Sequence, residues 1–154
     1  VDTALSLIAD AQGRGARLLA GGARPALLNH GHFLEPTVLA DVPDSARIMR
    51  EEPFAPVAPI AGWEDFDDVI ASANSTEFGL AAYVFTESAA LAARTAEALE
   101  AGMVGINETL LATAEAPFGG TRQSGFGREG GSLGILDYLT PKYTRHRLTL
   151  PAWL

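Results

Sequence analysis

The sequence predicts an α/β fold in which a parallel βαβαβ sheet is covered by helices. Three observations carry that expectation. Hydrophobic residues make up 47% of the 154 and charged residues 19%, a composition able to bury a core rather than remain disordered. Between Val57 and Asn107, short apolar runs suited to buried strands alternate with stretches of helical spacing. Glycines punctuate that run at Gly79 and Gly102.

Taken in order, Asp2 to Gly13 reads as a helix leading to a strand at Ala16–Ala20, a turn-rich stretch and an extended FLEPTVLADV. VAPIAGW, Val57 to Trp63, supplies the first strand of the run, and Pro59 assigns it an edge or irregular position because proline has no N–H for a ladder. Asp65 to Asn74 sets Phe66, Val69, Ile70 and Ala73 at helical spacing. Glu64, Asp65, Asp67 and Asp68 sit on its early turns, where the helix dipole favours negative charge. Gly79 ends that segment, and LAAYVF, Leu80 to Phe85, reads as a short buried strand. Thr86 is placed to cap a helix from Glu87 to Ala101 that Gly102 stops. MVGIN, Met103 to Asn107, is another buried strand, and a helix is expected around Ser132 to Leu139. KYTRHRLTL, Lys142 to Leu150, alternates in part and reads as a terminal strand.

Charge and composition exclude several classes. A net charge of −8, from 11 basic and 19 acidic residues, argues against a nucleic-acid partner, which needs a basic face. No apolar run has the length of a membrane span, and VDTALSLIADAQGRG lacks a basic start followed by an apolar stretch. The chain has no cysteine, hence no disulfide framework and no Cys-ligated zinc. A cytoplasmic protein is the default expectation. The chain starts at a valine inside a predicted helix, and so reads as a fragment.

Chemistry-bearing motifs are few. Nine of the sixteen glycines lie between Gly102 and Gly134, where backbone must take positive φ or approach another group closely. They include a literal GxGxxG at Gly125, Gly127 and Gly130. It follows a loop rather than a strand, and Leu150 stands about twenty residues on, where a ribose-binding acid belongs. A structural loop is the favoured reading. Ser124 precedes a glycine, but Arg122 occupies the first glycine position of a nucleophile elbow. His30 and His32 flank Gly31, and two histidines do not make a zinc site. The second cluster is Glu51, Glu52, Pro53, Phe54, Ala55 and Pro56. Adjacent carboxylates in an extended segment point to opposite faces, so at most one enters a given pocket. An exposed acidic turn is one reading. The other pairs Glu52 with Phe54: a carboxylate accepts hydrogen bonds from both hydroxyls of a ribose, and an aromatic ring packs on a flat heterocycle.

Four segments stand in register: HFLEPTVLADVPDSARIMREEPFAPVAPI, NSTEFGLAAYVFT, the run GMVGINE with APFGGTRQSGFGREGG, and the IxDYLxxKY ending. Together they resemble the NAD(P)-dependent aldehyde dehydrogenases, and most the succinate-semialdehyde branch. The resemblance implies the C-terminal part of that family's catalytic domain, with residues 1–141 a partial thiol-bearing domain and 142–154 an oligomerisation strand or tail. It implies that Glu52 binds the nicotinamide ribose and that Phe54 packs near the nicotinamide ring. Phe118 would shape the substrate tunnel, and Glu108 to Ala116 would line it. A serine that helps hold the substrate carboxylate in the succinate-semialdehyde branch falls on Ala112 here, with Thr113 beside it as the available hydroxyl. Ala55 stands where the family usually has glycine, and its methyl would tighten the turn at Phe54.

In that family a cysteine thiolate attacks the aldehyde, hydride passes to NAD or NADP, and water activated by a glutamate hydrolyses the thioester. The resemblance sets the cysteine, the base, the oxyanion asparagine and the dinucleotide-binding domain upstream of Val1, so no catalytic residue is expected in this chain. It is expected to be inactive alone. In the complete enzyme, an aldehyde such as succinate semialdehyde is the expected substrate, with a homo-oligomer formed through the tail. Loss of neighbouring strands is expected to expose Val84, Val104 and Ile106. A rival reading is a non-enzymatic oligomerisation or interaction module derived from such an enzyme.

Overall fold

The computed structural model describes residues 1–28, 30–147 and 149. It divides into two compact units, Val1–Glu77 and Phe78–Leu154. In the first, helix α1 (Asp2–Gly13) buries Ala4, Leu7, Ile8 and Ala11, the i, i+3, i+4, i+7 stripe of an amphipathic helix. Strand β1 (Arg17–Ala20) pairs antiparallel with β2 (Thr37–Ala40), with an irregularity between Leu18 and Ala20. On its other side β2 pairs in parallel with β3 (Val57–Pro59), giving the order β1-β2-β3. Pro59 therefore ends an edge strand, where its missing N–H costs no ladder bond. The core gathers Leu7, Ile8, Ala11, Ala16, Leu39, Val42, Ala46 and Ile48, the last from a 3₁₀ turn at Arg47–Met49.

Helix α2 (Phe66–Ala73) begins where expected. Asp65 is its N-cap and its side chain accepts from the N–H groups of Asp67 and Asp68.

In the second unit, β4 (Phe78–Gly79) pairs antiparallel with β7 (Thr121–Arg122). Strands β5 (Ala81–Val84) and β6 (Met103–Ile106) pair in parallel, Ala81 opposite Met103 and Val84 opposite Ile106. Helix α3 (Ala89–Ala98) connects them, as a parallel crossover requires. Its cap is Ser88 rather than Thr86: the Ser88 hydroxyl accepts from Leu91 N–H at 3.2 Å, while Thr86 Oγ1 accepts from Ser88 N–H. The helix also stops before Gly102. Leu99 is already extended, because the chain must bring Gly102 N–H to Gly79 O at 2.9 Å. A Cβ at Gly102 would collide with the Gly119 carbonyl, so glycine serves close approach here rather than helix termination.

The α/β class and its parallel pairs are therefore present, but the run lies in two sheets. β3 joins β2, and β5–α3–β6 is the βαβ unit. Ile106 is exposed as expected, whereas Val84 and Val104 are half-buried and their neighbours Tyr83 and Phe85 are the exposed ones. The expected helix near Ser132–Leu139 is a 3₁₀ segment, Gly134–Tyr138. Of the terminal strand expected at 142–150, residues 142–147 and 149 take no regular secondary structure; 148 and 150 lie outside the described residues. Among the described residues, no helix is long and apolar enough to cross a membrane.

Candidate functional site

The segment carrying Glu52 and Phe54 leaves the 3₁₀ turn at Arg47–Met49. Glu51 closes that turn, its N–H donating to Arg47 O at 2.8 Å. Its carboxylate then takes the Arg47 guanidinium in a two-pronged pair: Nε donates to Oε1 at 2.7 Å and Nη2 to Oε2 at 2.8 Å. That bond holds Glu51 below the ordinary carboxylate range and raises Arg47. Glu52 is exposed and, among the described residues, has no hydrogen-bond or ion-pair partner. One of the two adjacent acids is thus consumed by structure and the other is free for a ligand.

Phe54 is 90% exposed and its backbone is left-handed, φ +35°. A bulky residue at positive φ is strained, and such strain persists only where the flanking chain imposes it. The flank is tight: Val57 N–H donates back to Ala55 O at 2.7 Å, and Thr37 N–H holds Pro56 O at 2.8 Å.

Arg47 is itself tied to α1. Its backbone N–H donates to Asp10 Oδ2 at 2.9 Å, and its Nη1 donates to Ser6 Oγ at 3.3 Å. Asp10, also held by Arg14, is pulled below its ordinary value, chiefly by the Arg47 N–H. Sequence reasoning missed Arg47. The four-residue spacing to Glu51 in RIMRE was the visible signal; Asp10, 37 residues away, was not legible.

In the second unit, the Glu108–Ala116 loop is shaped at both ends. Asn107, left-handed at φ +52°, accepts from Thr86 N–H through Oδ1 and donates from Nδ2 to Thr86 O, both at 2.9 Å. Glu108 Oε1 accepts from Thr109 and Leu110 N–H, and these bonds lower its pKa. At the far end Gly131 N–H donates to Ala114 O at 2.9 Å, and Phe118 exchanges reciprocal backbone bonds with Glu129. Thr113 is exposed, with its N–H on Leu111 O at 3.1 Å. Phe118 is half-buried and lines a cavity of about 330 Å³ with Leu80, Ser124, Arg128, Asp137 and Tyr138.

The GxGxxG glycines serve this loop. Gly130 has φ +68°, and a Cβ there would lie 2.9 Å from Ala116 O and 3.3 Å from Ala114 O. Arg128 staples the rest, its Nη1 donating to Gly120 O at 2.8 Å and Gly127 O at 2.9 Å while its backbone N–H donates to Asp137. The stretch packs backbone against backbone, in keeping with a structural loop. Among the described residues, no three His, Cys, Asp or Glu side chains are grouped to hold a metal, and His30 and His32 are exposed. A larger groove, lined by Asp41, Asp44, Trp63, Glu64, Asp65 and Asp68 among others, contains none of the expected site residues.

Residues 1–144 match the model of the aldehyde dehydrogenase family. The chain is 50% identical over 136 residues to the glutarate-semialdehyde dehydrogenase of Pseudomonas putida, covering 88% of this chain and 28% of that protein. The same figures hold for an NADP(+) succinate-semialdehyde dehydrogenase of Escherichia coli. A crystal structure of an NADP-dependent enzyme from Escherichia coli superposes with a TM-score of 0.87 at 47% identity, over 91% of this chain and 29% of that one. The chain thus spans less than a third of the length of these relatives.

Proposed function

The chain belongs to the aldehyde dehydrogenase family, and from that premise we propose that it supplies the cofactor-ribose contact and one substrate wall of an NAD(P)-dependent semialdehyde dehydrogenase. The observation that carries the proposal is the division of labour between Glu51 and Glu52. Arg47 occupies the first carboxylate, and the second is exposed and unpartnered. A carboxylate with open lone pairs suits two vicinal hydroxyls.

NAD(P), when bound, accepts the hydride. The chain's own residues bind and orient. Glu52 takes the ribose hydroxyls of the nicotinamide half. Phe54, its ring open to solvent, packs on the nicotinamide and excludes water from that side. Phe118 walls the substrate passage, and the Thr113 hydroxyl donates to the carboxylate at the far end of the substrate. The names of two relatives, which specify glutarate and succinate semialdehydes, support this substrate class. An aldehyde carrying a terminal carboxylate is therefore the proposed substrate.

The nucleophile must come from outside these residues, since the chain has no cysteine. Purified alone with NAD(P) and succinate semialdehyde, the 154 residues should form no NAD(P)H; clear turnover would overturn this assignment. In the enzyme assembled with its cysteine-bearing remainder, Glu52→Gln should raise KM for NAD(P) and lower kcat by about tenfold or more, as misplacement of a bound reactant does. The KM for aldehyde should stay within about twofold, because Glu52 is assigned to the cofactor alone.

A further inference from the structure

Glu52 and Phe54 are exposed on a short piece of chain whose Pro53 is half-buried. Among the described residues, no backbone hydrogen bond reaches residues 52–54. What places them lies at the two ends. On the C-terminal side Thr37 N–H holds Pro56 O, next to the β2–β3 ladder. On the N-terminal side the last fixed residue is Glu51, and everything that fixes it passes through Arg47: the backbone turn at 2.8 Å and the guanidinium on both carboxylate oxygens.

Arg47 is in turn anchored twice on α1, by its N–H on Asp10 and by Nη1 on Ser6 Oγ. The chain of contacts runs from the amphipathic helix α1, through one arginine, to the residue preceding the free carboxylate.

We propose that Arg47 is a positioning residue for the cofactor contact, setting Glu52 through its fork on Glu51 and its ties to Asp10 and Ser6. The inference rests on the reading of Glu52 as the ribose contact. An isolated exposed ion pair contributes little to stability, and Arg47 and Glu51 side chains are 42% and 49% exposed. Their value lies in direction instead: a planar fork on both oxygens fixes the carboxylate's orientation as a single lysine charge does not. Arg47 acts through Glu52 and touches neither cofactor nor substrate.

The test is a double-mutant cycle in the assembled enzyme. Arg47→Met should raise KM for NAD(P) and lower kcat together, by about tenfold, with the KM for aldehyde within about twofold. Arg47→Lys should recover only part, since it restores charge without the fork. Glu51→Gln, which keeps the shape, should reproduce the direction of the effect should Arg47→Met fold poorly in a thermal melt. Because Arg47 works through Glu52, Arg47→Met combined with Glu52→Gln should be no worse than Glu52→Gln alone. Effects that multiply, or a silent Arg47→Met and Glu51→Gln beside a damaging Glu52→Gln, would overturn this inference and leave the ribose reading standing. A silent Glu52→Gln would overturn both.

Discussion

Replacing Thr37 with valine keeps the shape of the side chain and deletes one buried oxygen. Thr37 is 2% exposed in the central strand β2. Its Oγ1 accepts from Gly22 N–H at 2.9 Å and donates to Glu35 O at 2.8 Å. Valine leaves that N–H and that carbonyl without partners. A buried orphan costs about 1–3 kcal/mol. Gly22 and Glu35 are only half-buried, so the lower end applies to each. The extra methyl returns at most about 0.8 kcal/mol. The net loss is then about 1 to 1.5 kcal/mol, which for a chain of this length lowers Tm by about 2–6 °C. Circular dichroism reads the melt and amide exchange reads Gly22. A Tm within about 1 °C of the parent, with Gly22 protection unchanged, would refute the reasoning that this hydroxyl holds the β1–β2 connection together.

Gly130→Ala should destabilise by about 2 kcal/mol: a left-handed alanine and an overlap with Ala116 O, less the entropy removed from the unfolded chain. Gly125→Ala, strained at φ +101° but with no atom within 4 Å, should leave amide exchange at residues 113–116 unaltered, whereas Gly130→Ala should speed it. Acid stability follows from Asp10, Glu51 and Glu108, all held below their ordinary values by hydrogen bonds. A carboxyl depressed in the folded state contributes stability that is complete above its unfolded pKa, near 4, and is lost as pH falls through the folded value. Denaturant midpoints should therefore be flat above about pH 5 and fall below about pH 4. Arg47→Met and Glu108→Gln should each flatten that fall, and an unchanged slope would contradict the assigned hydrogen bonds.

Local signals carried most of the fold into the sequence. Ala4, Leu7, Ile8 and Ala11 repeat at helical spacing because one face of α1 meets the core, and Asp65 caps α2 with its own side chain. The start of α3 was misjudged because Thr86 and Ser88 are both competent caps; geometry chose the one whose hydroxyl reaches Leu91 N–H. Sheet partners were less legible. A three-residue strand ending in proline carries no information about which distant strand it joins, and β3 joined β2. At the site, side-chain alternation predicts that at most one of the two adjacent glutamates enters a given pocket. Which one stays free depends on Arg47, whose own placement comes from Asp10 in another element. The GxGxxG spelling is ambiguous because glycine serves phosphate cradles and tight backbone packing equally well; its loop context and Leu150 favour packing in the sequence, and the carbonyls around Gly130 show what that glycine packs against.

The Asn107 side chain behaves as a surrogate peptide unit. Its amide gives Thr86 one more rung beyond the β5–β6 ladder, while its left-handed backbone turns the chain out of the sheet. With Phe118 and Glu129 closing the other end, the stretch between these two fastenings can change in sequence without altering strand register. That makes residues 109–116 a natural cassette. Exchanging them as a block, with Asn107, Glu108 and Gly130 retained, should leave the β5–β6 pairing in place.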